Sequence, residues 1–121
     1  MKSVGVFTVA HGRIRLKIRL LPTVADVHRE FVSTTGVRMR KGNVVNAFFV
    51  PAGAKAKHTG SIVLPLNGRL AELIPHEVTH AVLDKMGGVL CSDDEACATA
   101  IGMLSARIVR KIGRKYEVRY G

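Results

Sequence analysis

Two histidines and a glutamate at helical spacing are the residues in this chain best suited to chemistry. His76 and His80 lie four positions apart in His-Glu-Val-Thr-His, so a helix would place both imidazoles on one face. Zinc takes neutral imidazole nitrogens at about 2.0 to 2.1 Å, and residues at this spacing converge closely enough to supply two of them. A catalytic zinc lowers the pKa of its water to about 7, and Glu77 could accept the proton. The pattern predicts a catalytic zinc site, whereas one histidine alone would be interpreted as an ordinary helix residue.

The residues around this motif predict the helix that must hold it. Apolar side chains recur at spacings of three and four over 70–83, and the glycine pair 87–88 is the stop expected after a helix C-terminus. We therefore expect the helix to end near Met86. Pro75 suits a first turn and is costly in an interior, so either the helix begins near Ile74 or the residues before it form a turn that kinks into the helix.

A metal held by two histidines and a water needs a third protein ligand. Glu95 is the best donor, because a second helix beginning near Ser92 would hold its carboxylate on a fixed backbone. Small residues on its helix face would allow close approach to the motif helix. These small residues are Ala98, Thr99, Gly102 and Ala106. Ser92 and Glu95 also have the spacing of a capping box, in which the glutamate only satisfies the helix's own N-terminal amide. Asp94 is the reserve ligand, although it also suits the positive end of a helix dipole.

The two segments together resemble the zincin metallopeptidases of the gluzincin type, especially their smallest members. Those proteins combine a helix, a short sheet, the His-Glu-x-x-His helix and a following helix whose glutamate is the third ligand. The run from Glu95 to Ala100 also resembles the glutamate helix of the ImmA/IrrE-like peptidases. The resemblance implies that His76, His80 and Glu95 bind one zinc ion per chain. It also implies a zinc metalloendopeptidase in which a zinc-bound water attacks the peptide bond with Glu77 as general base.

Two β-rich runs before the motif predict an edge that aligns the substrate. Residues 46–50 and 61–66 read as strands joined by a loop rich in Gly, Ala and Lys. Pro65 cannot donate a ladder hydrogen bond, so we expect the second strand at a sheet edge. Zincins use such an edge to align an extended peptide over the zinc, which implies a substrate-binding role here. The residues assigned to that role are Ile62, Val63 and Leu64. An edge strand without a partner is the alternative.

The rest of the chain predicts a single α+β, zincin-like domain over residues 1–121. A chain of 121 residues that is 47% hydrophobic is long enough for one modest core and too short for two. The periodicity predicts a hairpin from 4–10 and 13–20, an amphipathic helix over 22–34 and a last strand over 115–120. With the motif segments, these elements form a small mixed β-sheet, an N-terminal helix, the motif helix and a glutamate-bearing helix.

Positive charge is the second informative feature, with 19 Lys and Arg against nine acidic residues and a net charge of +10. One set alternates with apolar residues, so a strand there would have one basic and one apolar face. That set is Arg13, Arg15, Lys17 and Arg19. A second set falls on one side of the second helix. That set is Arg107, Arg110, Lys111 and Arg114. Such faces attract nucleic acid or an acidic protein, or simply keep a small protein soluble.

The charge supports a second function hypothesis beside the metallopeptidase. In it, a catalytically idle zincin-like basic module binds nucleic acid or an acidic protein. A basic peptidase that acts near DNA, as the SprT-like family does, is also compatible with the pattern.

The cysteines and the apolar runs predict a cytoplasmic protein. Cys91 and Cys97 lack the spacing of a zinc knuckle, and we expect both to stay reduced and packed; a local disulfide or a substitute metal ligand is the alternative. The apolar run before His11 is too short for a secretion signal, and no window approaches a membrane span. We therefore expect no membrane partner and free thiols. The metallopeptidase resemblance implies a peptide or protein as the substrate.

Overall fold

The structure, a computed structural model, describes residues 3–40, 42–53, 56–86 and 94–116. Four strands and three helices lie within these ranges. In chain order they are β1 (Gly5–His11), β2 (Ile14–Leu21), α1 (Val24–Thr35), β3 (Phe48–Pro51), β4 (Gly60–Pro65), α2 (Leu70–Lys85) and α3 (Asp94–Lys115). The predicted α+β class is confirmed. None of the described helices is both long and apolar enough to cross a membrane.

The strands form one mixed sheet in the order β1-β2-β4-β3. β1 and β2 are the predicted antiparallel hairpin, and their turn contains Gly12 at a φ of 60°, where the absence of a Cβ removes the steric cost. β4 lies parallel to β2, and β3 lies antiparallel to β4 on its far side. The mixed sheet that we predicted is therefore confirmed.

Strand β2 has the two faces that its sequence predicts. Its apolar residues are fully or almost fully buried, whereas Arg15 and Lys17 are exposed. The apolar face packs against α2 and α3 in the main core. The fully buried side chains that these helices contribute include Leu70, Ile74, Val78, Leu104, Ile108 and Ile112.

Helix α1 covers one end of the opposite face. Thr23 caps its N-terminus by accepting from the Asp26 amide, and Phe31 packs edge-on against Phe48 with ring centroids 5.4 Å apart. Arg19 lies beneath this helix and forms an ion pair with Glu30 at 3.0 Å.

Strand β4 is internal, so the prediction of a sheet edge at Ile62, Val63 and Leu64 is wrong. It pairs with β2 on one side and with β3 on the other, and these three side chains are at most 1% exposed. Pro65 is tolerated because β3 pairs with β4 only as far as Val63. No β3 residue lies opposite Pro65, so its missing N–H costs no ladder hydrogen bond to β3. Among the described strands, β3 and not β4 lies at this edge of the sheet.

Helix α2 is continuous from Leu70 to Lys85, with Pro75 in its interior. Neither predicted beginning is therefore correct, because residues 70–74 are already helical. Thr79 donates its hydroxyl to the Pro75 carbonyl at 2.7 Å. The helix ends where we predicted, and the glycine pair 87–88 lies outside the described residues.

Helix α3 buries the opposite face from the one predicted. The small residues Ala98, Thr99, Gly102 and Ala106 are exposed, and a Cβ on Gly102 would meet nothing within 4 Å. The face with the larger apolar side chains packs instead, because it removes more apolar surface from water. Its buried residues are Cys97, Ala100, Leu104, Ile108 and Ile112. Lys115 belongs to this helix and not to a strand, and residues 117–120 of the predicted strand lie outside the described ranges.

Cys97 is disulfide-bonded, so the prediction that it stays reduced is wrong. The chain has one other cysteine, Cys91, which lies outside the described residues. The Sγ atom of Cys97 lies 3.9 Å from the Met86 Sδ atom, and its side chain is buried against the main core.

Polar side chains of α3 and of the residue after it cover the outer edge of β1. Lys111 donates to the Thr8 carbonyl at 2.8 Å, Arg107 donates to the Ala10 carbonyl, and the Tyr116 hydroxyl donates to the Val4 carbonyl at 2.9 Å. Capping these carbonyls protects an edge that could otherwise pair with another chain. Two members of the predicted basic helix face therefore have an internal structural role.

Candidate metal centre

The motif lies in a cleft between α2 and the β3 segment, with a volume of about 450 Å³. One wall is apolar and largely aromatic. It consists of Phe31, Val45, Ala47, Phe48, Phe49 and Pro51. The other wall is polar and comes from one side of α2. It consists of His76, Glu77, His80 and Asp84.

The two histidines face each other at the spacing that a shared metal requires. Their Nε2 atoms are 3.2 Å apart, and the rings are nearly perpendicular at 78°. Two nitrogens bound to one tetrahedral zinc at about 2.05 Å would lie roughly 3.3 Å apart. The observed distance therefore fits two ligands of one zinc ion. Without a metal, the same distance accommodates a hydrogen bond in which one ring donates to the other.

Glu77 is buried beside this pair. It is 5% exposed and is the one buried charged residue of the core among the described residues. Its Oε2 atom lies 3.8 Å from the His76 Nε2 atom. Burial raises the pKa of Glu77 above its ordinary value, and the nearby His76 and His80 rings oppose that rise. A carboxyl with a raised pKa is a stronger proton acceptor than an ordinary exposed one.

The raised pKa of Glu77 predicts a stability gain on its replacement. The folded, metal-free protein holds the Glu77 proton more tightly than the unfolded chain, so stability falls as the pH rises from the ordinary pKa through the raised one. Glu77→Gln removes the ionisable group. We expect the metal-free variant to exceed the wild type by on the order of 1 kcal/mol in free energy of unfolding at neutral pH, with a smaller gain in acid.

Urea unfolding of the metal-free proteins at neutral and acidic pH would measure this difference. Glu72→Gln is the control, because Glu72 is exposed in the first turn of the same helix. A Glu77→Gln variant that is less stable than the wild type at neutral pH would contradict a burial cost at this position.

The third predicted ligand is not brought to the histidine pair. Glu95 lies in the first turn of α3 with its side chain exposed. Within the described ranges, no three His, Cys, Asp or Glu side chains are close enough together to hold a metal ion. The side chain of Asp94, the reserve ligand, lies outside the described residues, as does Ser92, the predicted capping residue. Glu95 as third ligand stays a prediction.

Two features of the cleft were missed by sequence reasoning. Asp84 continues the spacing of His76 and His80 by one more turn, so the helical period alone could have found it. It lies about 12 Å along the helix axis from His76, too far for both to bind one ion on a straight helix. The aromatic wall at Phe48 and Phe49 had no such local signal, because only the sheet order places β3 opposite α2.

Comparison with known proteins identifies no relative: no protein-family model, no curated protein and no solved structure matches this chain.

Proposed function

We propose that this protein is a small zincin-like metallopeptidase that uses one zinc ion to hydrolyse peptide bonds. The observation that carries the proposal is the His76 and His80 pair, whose Nε2 atoms lie 3.2 Å apart in an open cleft with the buried Glu77 carboxylate beside them. Two ordinary surface histidines would not need a buried acid next to them, because burying a carboxylate is unfavourable without a compensating role.

His76 and His80 would hold the zinc ion, and Glu95 is the proposed third ligand, with Asp94 in reserve. A zinc ion bound there supplies Lewis acidity toward a peptide carbonyl and toward water. Glu77 is the proposed general base. Its carboxylate would accept a proton from the attacking water and pass it to the leaving amine. Burial raises the pKa of this carboxyl above its ordinary value.

The proposed place for the substrate backbone is β3 and not the internal strand β4. Within the described residues β3 pairs with β4 alone, and its residues line the cleft opposite the histidines. An extended peptide could add to this strand by β-augmentation. The partly buried Phe49, which lines the cleft, favours substrates with an apolar side chain near the cleaved bond.

The cytoplasmic location stays a prediction. The disulfide at Cys97 argues against it, since disulfides are rare in reducing compartments.

Metal-dependent cleavage of an unfolded protein tests the proposal directly. We expect the zinc-loaded chain to cleave an unfolded casein-like substrate, a chelator to abolish cleavage, and added zinc to restore it. Mass spectrometry of the fragments would locate the cleaved bonds, which we expect beside apolar residues. A zinc-loaded, folded chain that cleaves nothing would contradict the proposal and favour the catalytically idle binding module.

A further inference from the structure

One half of the sheet's outer face is uncovered and basic. Helix α1 packs over the end near Val63 and Leu21, whereas Arg15 and Lys17 on the same face are exposed. Their sheet neighbours have short side chains. These neighbours are Thr8 and Ala10 on β1 and Ser61 on β4. Two long cations therefore project from a floor of small residues.

Two cations of this face have no ion-pair partner among the described residues. They are Arg15 and Lys17, whereas the acidic residues of α1 are paired with Arg19, on the same face, and with Arg29. This distinguishes the face from the basic side of α3, where Arg107 and Lys111 cap β1 carbonyls. Among the described residues no acidic side chain neutralises Arg15 and Lys17, so these two cations can attract an external anion.

The backbone presents these cations in a fixed row. Arg15 and Lys17 are two residues apart on one strand, so they project from the same face about 6.6 Å apart along the strand axis. The Arg15 backbone is held by Thr59, whose hydroxyl accepts from its amide at 3.1 Å and whose amide donates to its carbonyl at 2.7 Å. Arg13 lies in the turn before β2 and lines a separate depression with Lys57, Asp84 and Lys85. We call Arg15 and Lys17 the basic row.

We propose that the basic row binds the phosphate backbone of duplex nucleic acid, independently of the zinc site. A row of cations on a rigid strand complements a regular line of phosphates, and the Thr8 and Ser61 hydroxyls can donate to phosphate oxygens. Among the described strands, Phe48 is the aromatic residue on this face, and α1 buries it. Because the described residues of this face include no exposed aromatic ring that could stack on bases, the face favours sequence-independent contact with a duplex over binding of a single strand.

Salt-dependent binding to DNA tests this proposal. The probe is a short fluorescent duplex of mixed sequence, titrated with the zinc-free chain over a range of salt concentrations. We expect the double variant Arg15→Glu/Lys17→Glu to weaken binding at low salt on the order of tenfold. We also expect its plot of log affinity against log salt to be flatter by about 1.8, because each lost phosphate contact contributes about 0.9.

The matched control is Arg110→Glu/Arg114→Glu, which changes the net charge equally at exposed positions of α3. We expect it to retain most of the affinity and the slope. Equal losses in the two variants would show that only net charge matters and would overturn the proposal, as would the absence of duplex binding at low salt. Tighter binding to polyglutamate than to the duplex would assign the face to an acidic protein instead. Thermal unfolding confirms that each variant is folded, and none of these results depends on peptidase activity.

Discussion

Glu77→Gln is expected to abolish cleavage while leaving zinc binding intact. Glutamine keeps the shape of the buried side chain but cannot accept a proton, so the proposed base is lost without a cavity. We expect kcat to fall about 10²- to 10⁴-fold, the usual contribution of a positioned general base. The measurement is cleavage of the unfolded substrate by protein whose zinc content has been determined in the same preparation.

Glu72→Gln separates a catalytic effect from a general change in charge. Glu72 lies on the same helix with its side chain 71% exposed, near Arg69, and it lines a depression beside the cleft together with His76 and Glu77. We expect this variant to cleave like the wild type. Equal cleavage by the wild type and Glu77→Gln would show that Glu77 is not the base. Loss of zinc from Glu77→Gln would show instead that Glu77 helps to hold the metal.

His76→Ala and His80→Ala are each expected to lose the zinc ion. Removing either imidazole leaves one nitrogen of a pair that the structure holds 3.2 Å apart. We expect zinc affinity to fall by more than about 100-fold, because even loss of an outer-shell partner costs about 10- to 100-fold. Competition with a chromogenic chelator would measure it. His58→Ala is the control, because His58 lines a different depression.

The same titration decides the third ligand. If Glu95 binds the metal, Glu95→Gln loses zinc affinity as the histidine variants do. In that case the start of α3 must change when zinc binds, because the Glu95 side chain is exposed in the present structure. If Glu95 is only a helix cap, Glu95→Gln binds zinc normally and loses a little thermal stability. Asp94→Asn, tested beside it, would identify the reserve ligand. Normal zinc binding by all four variants would rule out this site.

Much of the local structure follows from periodicity in the sequence. The alternation from Ile14 to Leu20 predicts a strand with one buried face, and the spacing of apolar residues around His76 predicts a helix that ends near Met86; both are confirmed. The approach of the two histidines follows from the same helical geometry, because residues four apart share a face in any helix. These features depend on interactions between near neighbours in the chain.

The features that sequence reasoning missed depend on contacts between distant segments. Pro65 is compatible with an edge strand, yet β4 is internal, because β3 pairs beside it and ends before reaching that proline. Glu95 and its small neighbours suggest a packed face, yet α3 buries its larger apolar residues. For Pro65 the missing ladder bond falls where β3 no longer pairs, so the internal position carries no such cost. For α3 the choice of face is decided by burial of apolar side chains, each worth about 1.5 to 3 kcal/mol.

The sequence by itself therefore determined the pair of histidines, the acid beside them and the basic row on β2, because these need only the period of one helix or one strand. The tertiary structure alone decided what faces them. It set an aromatic strand opposite the histidines, buried Glu77, and directed Arg107 and Lys111 to the β1 edge while leaving Arg15 and Lys17 exposed. Those outcomes depend on how the sheet is ordered and which helix covers each face, and packing of the whole chain determines both.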